Sequence, residues 1–198
     1  MLRPGFGYTG ATKNNAESVS IPFIKAVDDT GRLEMTDLVM RVWVDDVLVT
    51  RPAVTTAITN GAFTTDLTGW TDLDGGSSVS AWVAGGYMSL IGTTNAAAKR
   101  RQQVTVTSVN VQHALNIVIT RGPVMIRLGS TAGGDEYFAE TTLLTGAHSL
   151  AFTPIGDFYI DLFSFNEAAS LVDSIQISAS GAMEITTPWA AADLGSMR

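Results

Sequence analysis

Few side chains in this sequence are of a type and spacing to do chemistry, and the two histidines, His113 and His148, come first. A nucleophilic triad needs a serine or cysteine, a base and an orienting carboxylate. The chain has no cysteine, which excludes thiolate nucleophiles, thiolate zinc sites and disulfides together. The strand-turn-helix serine elbow, Gly-x-Ser-x-Gly, is also missing. His113 falls inside a strand pattern and His148 beside a turn, so both read as structural.

Paired carboxylates come next, because glycoside hydrolysis needs one carboxyl raised in pKa beside one that stays ionised. Asp28-Asp29, Asp45-Asp46 and Asp135-Glu136 all sit in turn contexts, where aspartate favours hydrogen bonds to its own backbone. The stretch DLDGG, Asp72 to Gly76, offers oxygen ligands that suit calcium but lacks the acidic spacing of a full calcium loop. GSTAGG has neither the Gly-Lys-Ser/Thr ending of a phosphate loop nor a following helix. No enzymatic activity, cofactor or metal is therefore expected. Flat aromatic rings are the remaining hook, since they stack on sugar faces. Trp70 reads as core, whereas Trp82 and Tyr87 are the candidates for glycan stacking.

Composition narrows the partners. The 198 residues carry 12 basic and 19 acidic side chains, a net charge of −7, which disfavours binding through clustered cations to phosphate. The only dense basic run, Lys99-Arg100-Arg101, reads as a solvated strand end. A hydrophobic fraction of 45% with 16% charged residues belongs to a packed domain rather than a disordered chain. No apolar run approaches the roughly 18 residues of a membrane span, and the opening residues lack the apolar core of a secretory leader. A soluble protein without stable membrane insertion is expected.

The elements that must position these residues are strands. In VQHALNIVIT, Val111, His113, Leu115, Ile117 and Ile119 share one side; in VMIRL, Val124, Ile126 and Leu128 do. His148, Leu150 and Phe152 repeat the pattern, as do Val104 and Val106. Period two with β-branched enrichment is a strand signal, and glycine pairs at 75–76, 85–86 and 133–134 punctuate it. The expected fold is all-β: a jelly-roll β-sandwich over 58–180, inserted between a β-hairpin platform over 1–57 and a return segment over 181–198.

In the platform, RVWVDDVLVT reads as a hairpin turning at Asp45-Asp46, with Met40, Val42 and Val44 on one face. Arg51-Pro52 ends the pairing, because proline has no ladder donor. Ile21, Phe23, Val42 and Val44 are expected to pack inward. Arg41 and Trp43, on the opposite face, are then candidates for a subunit interface, with Trp189 a third. Pro188 and the alanines after it predict the start of a short helix.

Two resemblances follow from these residues. NGAF and DLTGW, with SAWVAGGYMSL, RRQQVTVT and LVDSIQIS, resemble the jelly-roll carbohydrate-binding modules. In that reading Asn60-Gly61 makes a positive-φ turn, while Phe63 and Trp70 plug one end of the sandwich. The flanks resemble tail nozzle, or tail tubular, proteins of short-tailed bacteriophages. Arg3-Pro4-Gly5, then Ile21-Pro22-Phe23, Leu33-Glu34 and Arg41, and finally Pro188, Trp189, Asp193 and Leu194 carry that likeness. It departs where "GR" precedes Leu33 and "DD" fills the hairpin turn. The resemblance implies a virion tail protein in a closed, sixfold ring, contacting adaptor and fibre proteins and lining a conduit for genomic DNA that it does not bind. It also implies a fragment of a longer chain. The runner-up is a carbohydrate-binding module attaching to cell-surface glycans, which requires Trp82 or Tyr87 exposed among polar neighbours.

Overall fold

A computed structural model describes residues 10–26, 29–178 and 181–197. Arg3, Pro4, Gly5 and Asp28 lie outside the described residues, and so do the side chains of 23–30, including Phe23. Two compact units form, one from 1–51 with 182–198 and one from 52–181. Within the described residues almost all regular structure is strand.

The first unit contains β1 (Val19–Ala26), β2 (Asp29–Thr36), β3 (Val39–Val44), β4 (Val47–Leu48) and β5 (Thr50–Arg51). The second contains β6 (Thr71–Asp72), β7 (Val79–Val83), β8 (Tyr87–Ile91), β9 (Ala98–Val104) and β10 (His113–Arg121). It continues through β11 (Val124–Gly129), β12 (Phe138–Leu143), β13 (Gly146–Phe152), β14 (Phe158–Ser164) and β15 (Ser170–Ser178). β16 (Gly181–Ala182) spans the return, and β17 (Glu184–Thr186) and α1 (Ala191–Leu194) follow it.

In the first unit an antiparallel sheet runs β1-β2-β3-β17, with β4 also on β3. The β3–β4 turn is the two residues Asp45 and Asp46 at φ 48° and 60°. A type I′ turn demands positive φ at both positions, and aspartate tolerates it where most residues do not. Met40 packs with Val19, Met35 and Leu194 of α1, which covers one end of that face.

The face expected to pack inward is buried only at the end near Leu194, and the opposite face is buried as well. Ile21 and Val44 are 40% and 39% exposed, while Arg41 and Trp43 are buried within the chain itself. Register places Glu34 beside Arg41, and the Glu34 carboxylate accepts from Arg41 Nη2 at 2.6 Å and from Trp43 Nε1 at 2.8 Å. The 10–13 segment covers this cluster: Lys13 N donates to Glu34 Oε1 (3.0 Å) and Arg41 Nη2 to the Ala11 carbonyl (3.0 Å). Arg32 stacks over the Trp43 ring at 4.2 Å. Neutralising Glu34 and Arg41 against each other is what lets a charged strand face be buried. Trp189 is 40% exposed.

The second unit is a sandwich of two antiparallel five-stranded sheets, β13-β10-β15-β8-β7 and β12-β11-β14-β9-β6. The alternating residues read from sequence fill it: Leu115, Ile117 and Ile119 of one sheet face Ile126, Leu128, Ile160 and Leu162 of the other. Burying a side chain of this size contributes about 1.5–3 kcal/mol, so this layer dominates the unit's stability. The unit starts at 52 rather than 58 because Thr56 belongs to it, bonded to His113 and Thr107.

Candidate functional site

The residues at the start of the sandwich build a groove. Asn60, at φ 48°, makes the turn, and its side-chain amide donates to the Asp66 carboxylate (2.9 Å) and to the Thr68 carbonyl (3.2 Å). The positive φ is at Asn60. Gly61 serves a different need, close approach, since a Cβ there would lie 2.0 Å from the Ile175 carbonyl oxygen. Ile175 N donates to Gly61 O (2.7 Å), stitching this segment onto β15. Phe63, fully buried, meets Trp70 with ring centroids 5.8 Å apart, so both are core.

Two adjoining depressions of about 370 Å³ each flank this segment. One is lined by Asn60, Gly61, Ser174 and Gln176 among others, the second by Thr64, Trp82, Gly85, Gly86, Asp173 and Ser174. Ala62, Thr64 and Ser174 line both. Trp82 is 37% exposed, and its Nε1 donates to the Phe63 carbonyl at 2.7 Å, which fixes the indole in place. A tethered, half-open ring beside hydroxyls and a carboxylate can stack on a sugar and hydrogen-bond its hydroxyls.

Tyr87 does not join it. The hairpin register pairs Trp82 with Met88 and Val83 with Tyr87, so the two rings lie on opposite faces of the β7–β8 ribbon. Tyr87 is half-buried, its ring close over Gly85.

The remaining sequence candidates are occupied structurally. His113 is buried, with Nδ1 2.8 Å from the Val111 carbonyl and Nε2 2.7 Å from Thr56 Oγ1. A carbonyl only accepts, so Nδ1 carries a proton. His148 Nε2 lies 2.8 Å from the Leu144 carbonyl. In DLDGG, Asp72 takes Arg100 (2.9 Å) and Asp74 takes the backbone N–H of Ser80 and of Lys99. Among the described residues no group of three or more His, Cys, Asp and Glu is arranged to hold a metal.

One charged cluster went unread in the sequence. Asp161, fully buried at the middle of β14, is clasped by Arg101 of β9 and Arg127 of β11. Lys99 and Arg127 also lie over the neighbouring Phe163 ring. The basic run is therefore not a solvated strand end: Arg101 serves one face, and Arg100 reaches Ser80 and Asp72. The one signal for it was a single acid inside the apolar strand FYIDLF.

This is an all-β protein, a jelly-roll β-sandwich set into a small β platform. No protein-family model and no curated protein matches it. Solved structures similar to it include two from different settings. One is the enzymatically active domain of tailspike protein 4 of bacteriophage CBA120, at 13% identity and TM-score 0.44 over 66% of this chain. This chain spans 21% of that domain's length. The other is a mutant of CBM29-2, a family 29 carbohydrate-binding module, at 14% identity and TM-score 0.41, covering 63% of this chain and 85% of that one.

Proposed function

We propose that this chain is a structural component of a phage tail, of the nozzle kind, in which the small platform assembles into a ring and the sandwich is an insert upon it. The observation that supports the reading is the discontinuous platform. Residues 182–198 return to complete the sheet begun by 19–48: β17 pairs with β3, Met183 N donates to the Val49 carbonyl (2.9 Å), and Leu194 closes the apolar cluster. A domain inserted at one point of a host sheet has this construction, and the platform's flanking motifs are those resembling tail nozzle proteins. The net charge of −7 suits a conduit that repels passing DNA. The test is the mass of the purified chain by light scattering, with its mass in virions. A ring is expected; a monomer whose virion band is no longer than this chain would sink the nozzle reading.

A second reading, a glycan-binding module serving attachment, is favoured by one feature: Trp82 is exposed beside Thr64, Asp173 and Ser174. Glycan screening with Trp82→Ala as control tests it. Loss of a bound glycan on substitution supports this reading, and equal binding by the variant removes Trp82 from it.

A further inference from the structure

The first and last segments of the sandwich meet at the same end of its strands. Thr56, just inside its start, bonds Thr107 and His113 at the β9–β10 turn, and Ser178, at the end of β15, bonds Asn116. β9 begins and β14 ends at the opposite rim, where loops 73–78, 92–97 and 165–169 converge. These loops border a depression of about 680 Å³ that is open to solvent.

Its lining is Gly75, Gly76, Ser77, Thr93, Thr94, Asn95, Ala96 and Glu167, all small or polar, with Glu167 the one charged group. The loops are held in place by their own hydrogen bonds. Ser78 Oγ donates to the Ala97 carbonyl (2.8 Å), Thr93 N to the Ala96 carbonyl (2.8 Å) and Gly92 N to the Asn166 carbonyl (2.8 Å). Thr94 Oγ1 donates to Glu167 Oε1 (2.8 Å), which leaves the second carboxylate oxygen for a ligand. The exposed ring of Phe165 stands two residues from Glu167 on the same loop.

We propose that this rim is a binding site for neutral sugars, a deepening that rests on the glycan reading of the insert. Hydroxyl and amide side chains offer both donors and acceptors, as a polyol requires. A carboxylate accepts strongly from sugar hydroxyls and repels uronates, sulfates and phosphates. The two glycines let a ring approach the backbone.

Amide shifts of the labelled full chain are followed while cello-, malto-, manno- and galacto-oligosaccharides are added, with trigalacturonate as the acidic control. The expected result is shifts at 75–77, 93–96 and 167 with a neutral sugar and none there with trigalacturonate. Glu167→Ala and Thr94→Val each weaken that binding about tenfold, the loss of one charge-assisted hydrogen bond. The amide spectrum reports that each variant is folded. Sugar shifts confined to 62–64, 82–86 and 173–174 overturn the rim site while leaving the glycan reading standing. No shift with any neutral sugar overturns both.

Discussion

Arg101 and Asp161 form a two-bond ion pair across β9 and β14, with Nε to Oδ1 at 2.5 Å and Nη2 to Oδ2 at 2.8 Å. Arg127 adds a second guanidinium, its Nη2 2.9 Å from Oδ2. The carboxylate is buried while both arginines keep about a fifth of their side chains in solvent. Truncating the acid therefore strands two cations that water only partly reaches. Asp161→Ala should lower unfolding stability by about 3 kcal/mol, the low end for a broken buried pair. Urea denaturation measures it. A midpoint equal to that of the parent would mean the cluster is a bystander.

The same pair sets an acid dependence. Burial by itself would raise the Asp161 carboxyl, but hydrogen bonds from Arg101 and Arg127 outweigh it and hold the group below the usual carboxylate range. A carboxyl whose folded pKa is depressed adds stability that is complete above its unfolded value. That contribution is lost as pH falls through the lowered folded value. The stability gap between the parent and Asp161→Asn should be constant near neutrality and shrink only in strong acid. A gap that persists unchanged through the acid range would contradict it.

Glu34 is the corresponding keystone of the platform. It accepts from Arg41, Trp43 and the Lys13 backbone, so Glu34→Ala leaves a buried guanidinium and indole N–H without their acceptor. A loss of about 3–5 kcal/mol is expected and falls on the platform sheet. Hydrogen exchange should show β2 and β3 amides losing protection while β10 and β14 amides keep theirs. Equal loss in both units would show that they open together.

Gly61→Ala tests the close approach at the start of the sandwich. The added methyl would sit 2.0 Å from the Ile175 carbonyl oxygen, so the segment must pull away and give up its hydrogen bond to Ile175. A cost of about 2–4 kcal/mol follows from the lost bond and the displaced segment. Calorimetry reads it as a lowered Tm. An unshifted transition would mean that the segment moves at no cost.

Local rules are legible in a sequence because they act between near neighbours. Alternation fixed which residues of β10 and β11 face the core, and two adjacent aspartates were enough to place the β3–β4 turn. Which face of a strand meets water is not local. The face of Arg41 and Trp43 is buried because Glu34 can be neutralised by Arg41 only after β2 and β3 pair, and because residues 10–13 then cover them. Trp82 and Tyr87 were equal candidates for stacking until the hairpin register put them on opposite sides. The Arg101–Asp161–Arg127 clasp joins residues 60 and 34 positions apart in the chain. The rim depression needs three loops brought together by the sandwich. Sequence alone determined the β class and the buried rows; charge pairing, facing and convergence were decided by tertiary structure, because each depends on contacts between distant segments.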